Sequence, residues 1–160
     1  MEKIDKILKH DLFLTHMQRN KLAEQGRRFC KHNIGHFLDV ARIGYLINLE
    51  ERLGVEKEMI YAAALLHDLG KHRQYEDGTP HEITGAAIAR EILEDCGFQE
   101  NEIDEITDAI LSHRDSGVKE LKNLQGILYR ADKASRACFC CEAEAECSWG
   151  DEKKNQTIFL

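Results

Sequence analysis

A histidine followed directly by an aspartate, His67-Asp68, closes an apolar stretch rich in alanine and leucine. Histidine offers a neutral nitrogen ligand, and aspartate a charged oxygen able to bridge two cations. A mixed nitrogen and oxygen set suits iron, manganese, cobalt, nickel or zinc better than calcium. Neighbours on a helix point about 100° apart, yet at a helix end both can converge on one ion. His36, in HFLDVA, lies on a segment with an apolar face, and Asp132, in YRADKASR, is flanked by Leu128, Ala131 and Ala134. A carboxylate on an apolar helix face needs a partner, because a lone buried charge is costly. A metal would serve; so would Arg130 or Arg136, and an exposed aspartate would need neither. His81 in PHEITGA and His113 in AILSHRD add two imidazoles. Each can also be read as a plain helix-terminal residue, His113 favoured by the helix dipole.

Lys71, three residues after Asp68, is the foremost candidate for a fixed positive charge beside a phosphate. It reads equally as a cation closing a helix C-terminus. Arg73, Arg114, Lys133 and Arg136 stand close in sequence to candidate ligands and are further candidates for substrate binding, or else solvated surface charges. Among the other histidines, His10 and His16 fall in a charged N-terminal helix and His72 in a polar segment, so all three are expected at the surface. His32, one turn before His36, fits a site-adjacent position or a surface one. Cys138, Cys140, Cys141 and Cys147 crowd the segment CFCCEAEAECSW. Cys138 and Cys141, three apart, share a face if the segment is helical. The cluster reads as a second metal or redox site, or as reduced thiols packed like small apolar residues. Its spacing fits paired CxxC motifs poorly. With Cys30 and Cys96 these make six cysteines, read as thiols or ligands rather than disulfides in a cytosolic chain.

These residues must be positioned by helices. From His36 to Leu53, apolar Phe37, Val40, Ala41, Tyr45 and Leu49 recur near a helical period, and Gly54 is a plausible stop. Residues 56–69 read as a second helix ended by Gly70, and residues 82–96 as another closed by Gly97. Residues 101–113 repeat the pattern, with Ile103, Ile106, Ile110 and Leu111 on one side. Between them, residues 71–80 (KHRQYEDGTP) read as one long polar connection with turn signals at Asp77-Gly78 and Thr79-Pro80. After Ser116-Gly117, residues 121–147 read as one long helix. Strand signals are missing from the sequence. The expected fold is all-α: one helical domain over residues 1–160, with a metal-site core at about 30–136 and a cysteine-rich helix end at 137–160.

A chain of 160 residues suits one core. The net charge of −7 argues against a surface built to grip nucleic-acid backbone. It leaves room for a small phosphorylated substrate, because bound divalent cations reverse the local sign. No apolar run approaches the roughly 20 residues of a membrane span, and the opening MEKIDKILKHD has no apolar signal core. A cytoplasmic protein with neither nucleic-acid nor membrane partner is expected; oligomeric state is undetermined at this level.

His36, His67-Asp68 and Asp132, in that order on successive helices and in the contexts HFLDVA, LLHDLGK and YRADK, resemble the HD-domain superfamily of metal-dependent phosphohydrolases. The resemblance spans roughly Cys30 to Arg136. It implies a helical bundle, a metal held by His36, His67, Asp68 and Asp132, and hydrolysis of a phosphoester or phosphoanhydride. HEITGA and ILSH resemble the segments that carry extra histidines in six-ligand, two-metal members, particularly the bacterial diadenosine-tetraphosphate hydrolase branch. That likeness implies two divalent transition-metal ions (Fe, Mn, Co, Ni or Zn). His36, His67 and Asp132 would hold one, His81 and His113 the other, and Asp68 would bridge them. The implied reaction uses a metal-bridging hydroxide on a small nucleotide-like substrate, with Asp68 and Lys71 as the catalytic residues. Six-ligand members of this superfamily also include di-iron oxygenases, and a regulatory module with a vestigial site is a third reading, weakened by the complete ligand set.

Overall fold

A computed structural model describes residues 1–158. They form eight α-helices, with no strand among the described residues: α1 (Glu2–Lys9), α2 (Asp11–Ala23), α3 (Ile34–Glu50), α4 (Lys57–Leu66), α5 (Lys71–Asp77), α6 (His81–Cys96), α7 (Glu100–Ser112) and α8 (Leu124–Ala134). Short 3-10 turns follow at Ser116–Val118, Cys138–Cys140, Glu144–Glu146 and Asp151–Lys153. The all-α expectation holds. Helix starts are set by local chemistry. The Asn33 side chain accepts from His36 N, Asn123 accepts from Gly126 N, and Gln99 and Glu102 form a capping box, each satisfying amide groups that a first turn leaves free. Gly78 and Gly97, in the left-handed region, end α5 and α6.

The bundle is organised around α4, whose Met59, Ile60, Ala62, Ala63, Ala64, Leu65 and Leu66 are all buried. Helices α3, α7 and α8 pack against it, supplying Phe37, Ile103, Ile106, Ile110, Leu124 and Ile127 to the interior. A helix buried on all sides has no polar face to show, which is why its sequence runs apolar without a clean stripe. The expected stripes on its neighbours are narrower than periodicity suggested. Leu49 and Leu111 are exposed, whereas Ile47 and Gly44 turn inward on α3.

Helix α4 stops at Leu66, so His67-Asp68 sits in the turn 67–70 rather than inside a helix. That turn is pressed against the start of α6. A Cβ on Gly70 would lie 2.6 Å from the His81 carbonyl oxygen and 2.7 Å from Gly85 N, and one on Gly85 would lie 3.0 Å from the His67 carbonyl oxygen. Backbone-to-backbone approach this close admits only glycine. On its other side the turn is tied to α2. The wholly buried Asn20 donates from Nδ2 to the Asp68 carbonyl (2.9 Å) and accepts from His72 N through Oδ1 (2.8 Å).

Several sequence expectations need correction. Residues 71–80 are not one long loop: α5 occupies Lys71–Asp77. Its first turns dock on α2, burying His72, expected at the surface, against His16 (Nδ1 to Nε2, 2.8 Å). Burial pushes His16, also expected to be solvated, down to about 4, so neutral rings can share that hydrogen bond. The long helix expected over 121–147 ends at Ala134. Asn155 folds back and donates from Nδ2 to the carbonyls of Lys133 (2.7 Å) and Arg136 (2.8 Å), taking acceptors that a continuing helix would have used. The cysteine-rich segment is consequently a run of turns, not a helix end; positions 159 and 160 of that expected segment lie outside the described residues.

Replacing Gly70 by alanine should therefore force the turn away from α6. Metal-free Gly70→Ala is expected to be destabilised by about 1–3 kcal/mol, as for other overpacked sites. Urea unfolding of the metal-free protein checks this; an unchanged midpoint would contradict the close packing.

Candidate metal centre

Six side chains from five parts of the chain converge at the HD turn. His36 comes from the first turn of α3, His67 and Asp68 from the turn after α4, His81 from the start of α6, His113 from the residue after α7, and Asp132 from α8. All six are buried. They form two donor sets that share Asp68: His36, His67, Asp68 and Asp132, and Asp68, His81 and His113. The two oxygens of Asp68 divide between them. Oδ2 lies 3.0 Å from His67 Nε2 and 3.7 Å from His36 Nε2. Oδ1 lies 3.0 Å from His81 Nε2 and 3.7 Å from His113 Nε2. Asp132 Oδ1 completes the first set, 3.4 Å from His36 Nε2 and 3.7 Å from His67 Nε2. In the second, His81 and His113 Nε2 are 3.2 Å apart. Donors about 2.1 Å from a common ion lie about 3 to 3.5 Å from each other, so these spacings are those of coordinating atoms.

The four imidazoles are all anchored by the far nitrogen. His67 Nδ1 donates to the Ala64 carbonyl (2.8 Å) and His113 Nδ1 to the Ile110 carbonyl (2.6 Å). Nδ1 of His81 donates to Gln74 Oε1 (2.5 Å). Nδ1 of His36 donates to Ser135 Oγ (3.2 Å), whose own proton goes to the Asp132 carbonyl (2.7 Å). Each ring thus turns its Nε2 inward, the arrangement by which proteins orient metal-binding histidines. His67 Nε2 and Asp68 Oδ1 are buried without a hydrogen-bond partner of acceptable geometry. Buried polar atoms are ordinarily satisfied, and a cation between the donors would satisfy both. The residues present fit a metal.

The electrostatics agree. Burial alone would raise both aspartates, but His67 beside Asp68, and His36 and His67 beside Asp132, hold the carboxyls well below the usual range. Burial works against charge on His67, yet Asp68 and Asp132 outweigh it and hold the ring up at about 10. In the metal-free protein a proton therefore stands where a cation would bind. Burial pushes His113 down to about 4, leaving its ring neutral and able to coordinate.

A cleft of about 1160 Å³ opens on Asp68, His81, His113 and Asp132. Lys71, Arg114, Lys133 and Arg136 line it. Lys71 Nζ stands 3.3 Å from His81 Nδ1. Lys133 Nζ and Arg136 Nη2 reach Asp132 at 2.7 and 3.3 Å. Arg73 does not line the cleft; it pairs with Asp77 on the surface of α5 (2.5 Å). Cys138, Cys141 and Cys147 lie along the cleft wall, while Cys140 is exposed. No cysteine joins a group of three donors within 4.8 Å among the described residues. No thiolate ligand set is assembled among the described residues. Sequence reasoning passed over Gln74, Ser135, Asn20 and Glu24, which act through contacts 7 to 99 residues away and belong to no local motif. His32, left open by periodicity, is buried beside the site.

The family model of the HD domain matches residues 33–137, and the chain belongs to the HD domain family. A protein of Clostridium beijerinckii with no assigned function is 52% identical over 159 residues, covering 99% of both chains. Ribonuclease Y of Clostridium tetani is 31% identical over 113 residues, covering 70% of this chain but 18% of that protein. YueE of Bacillus subtilis, a phosphohydrolase by inference, is 29% identical over 117 residues, covering 64% of this chain and 65% of its own. A crystal structure described as a predicted HD superfamily hydrolase, from an uncultured Thermotogales bacterium, superposes with a TM-score of 0.62 at 23% identity, covering 88% of this chain and 80% of that one. This last likeness concerns the fold.

Two outcomes follow for metal binding. Asp68→Ala should weaken binding of a divalent ion by at least about 100-fold, the upper end of what outer hydrogen-bond partners of ligands are worth; metal retention after gel filtration reads it, and wild-type retention would refute the donor sets. Loading must also displace the proton held by His67. Below about 10 that proton competes, so affinity should rise with pH, roughly tenfold per unit between about pH 6 and 9, with about one proton released per chain. Calorimetry in buffers of differing ionisation enthalpy counts the protons, and a pH-independent affinity would contradict the prediction.

Proposed function

We propose that this protein is a dinuclear metal-dependent phosphohydrolase that cleaves a phosphoester or phosphoanhydride bond of a small nucleotide-like substrate. The observation that carries this reading is the division of Asp68, with one buried oxygen facing each donor set. A carboxylate so placed is the natural bridge of two ions about 3.5 to 4 Å apart. His36, His67 and Asp132 would hold one ion with Asp68, and His81 and His113 the other. Bound there, two divalent cations supply an activated water and neutralise charge on phosphoryl oxygens.

The chain's own residues do the rest. Lys71, beside His81 on the cleft floor, and Arg136, beside Asp132, place fixed positive charge next to both donor sets. Arg114 and Lys133 extend that charge along the cleft. Phe29, Tyr129 and Trp149 offer flat apolar surface to a base. This cationic lining favours phosphate over the oxygenase chemistry that the same donor set permits. The relatives support hydrolysis: one is a phosphohydrolase by inference, and another is by name a ribonuclease, acting on phosphodiester bonds. The net charge of −7 favours a small substrate over a polynucleotide. Among the described residues no helix is long and apolar enough to cross a membrane.

The saturated protein should bind two ions per chain, with His81→Ala and His113→Ala each losing mostly one while keeping helix content. Manganese- or cobalt-loaded protein should hydrolyse phosphodiester and phosphoanhydride probes without dioxygen, and Lys71→Ala should raise KM about tenfold, as expected for one lost charge-assisted contact. Elemental analysis and a nucleotide and dinucleotide panel test this. One ion at saturation defeats the dinuclear reading, and turnover that requires iron and dioxygen defeats the hydrolase reading.

A further inference from the structure

His32 and Glu24 are both buried, at 7% and 3% exposure, and neither belongs to a donor set. Glu24 closes α2 and His32 precedes α3, so two helix ends meet here. The carboxylate of Glu24 is fully engaged on this loop. Its Oε2 accepts from His32 N (2.8 Å), and Oε1 accepts from His32 Nδ1 and from the Tyr75 hydroxyl (2.8 Å). A carboxylate offers only acceptors, so the ring's Nδ1 must carry the hydrogen and the neutral ring turns a lone pair outward on Nε2. That Nε2 faces the cleft, 3.7 Å from Asp68 Oδ2. A water that donates one hydrogen to each would satisfy both acceptors at this separation. The ring of His32 also meets that of His36 edge-on, with centroids 5.8 Å apart, which fixes its tilt. A buried histidine with one nitrogen anchored by a carboxylate and the other aimed at the reaction floor has the construction of a group that orients a reactant.

We propose that His32 is a further catalytic residue, whose Nε2 accepts a hydrogen bond from the attacking water beside Asp68 and directs its oxygen toward phosphorus, with Glu24 as its positioning residue. This rests on the hydrolase reading above. His32 acts on the water and not on an ion, because it stands outside both donor sets. Glu24 acts only through His32: it fixes which ring nitrogen carries the hydrogen and holds the ring against rotation.

The test uses the whole chain loaded with manganese and the chromogenic probe bis(p-nitrophenyl) phosphate, with metal content measured in every variant. His32→Ala should lower kcat about 100-fold, at the lower end of what a positioned acid or base contributes, with KM within about threefold and metal content unchanged. His32→Gln, which can return an acceptor near the same place, should recover about tenfold. Glu24→Gln should lower kcat about tenfold. Nitrogen-15 spectra of the zinc-loaded wild type should show His32 protonated at Nδ1 and bare at Nε2, and Glu24→Gln should mix the tautomers. Wild-type turnover in His32→Ala, a rise in KM alone, loss of metal, or an Nε2-protonated ring in the wild type each overturns this role. A metal-loaded wild type that does not turn over the probe or any nucleotide overturns the hydrolase reading, and this role with it; an active wild type with an equally active His32→Ala overturns this role alone.

Discussion

A buried carboxylate that must be satisfied on both oxygens governs this structure. Asp68 is almost wholly enclosed, and an isolated ion in such a place would cost many kcal/mol. The chain meets that cost by surrounding it with imidazoles from the ends of α3, α4, α6 and α7. His36, His67, His81 and His113 all stand within 3.7 Å of it. Each of those helices is thereby constrained in axial position as well as in rotation, since the Nε2 atom of its histidine has only one place to go.

The scaffold makes that convergence possible by close packing at a few points. The HD turn is wedged between α2 and α6, with Asn20 gripping it from one side and Gly70 and Gly85 admitting it on the other. Tied to Asn20 and packed against the backbone of α6, the turn fixes the direction of Asp68 together with the imidazoles around it. The same economy appears in the anchoring of the rings. Two of the four Nδ1 donors go to carbonyls three residues earlier in their own chain segment, Ala64 and Ile110. Placing a histidine just past the last turn of a helix thus orients it with no distant partner. His36 and His81 lack that advantage at helix starts and depend on Ser135 and Gln74 from other segments.

The surface charge of this acidic protein is separated from the charge of its cleft. Many of its acidic residues are exposed or paired at the periphery, as in Arg90 with Glu100 and Asp104. Lys71, Arg114, Lys133 and Arg136 instead line the cleft around the two carboxylates. Of these, Lys133 and Arg136 pair with Asp132, and Arg114 with Glu82. A divalent cation held by the aspartates would compete for their charge and would leave Lys133 and Arg136 free to face an anion. The turn-rich C-terminal segment, tied back by Asn155, supplies one wall of this cleft. That wall lies beyond the matched HD domain region, residues 33–137.

Residue pattern alone determined the all-helical fold, while the six candidate donors were picked out by their resemblance to the HD-domain family, since residue type by itself left His81, His113 and Asp132 open to helix-terminal or surface roles. A histidine-aspartate pair after an apolar helix and aspartate on an apolar face are costly unless partnered, so their chemistry is visible before any folding. Helical periods and glycine stops are likewise local, and they located α3, α4, α6 and α7 to within a few residues. Tertiary structure decided what local pattern cannot carry. It ended α8 at Ala134, because Asn155 takes the carbonyls from twenty residues away. It turned KHRQYED into a helix by giving its first turns a surface on α2 to bury against. It put Arg136 in the cleft and left Arg73 outside it, a difference that their shared pairing with an aspartate four residues away does not express. It brought Glu24 to His32 and His32 to Asp68, because a hydrogen bond between distant segments depends on where helices cross, and the crossing is a property of the packed core and not of either segment.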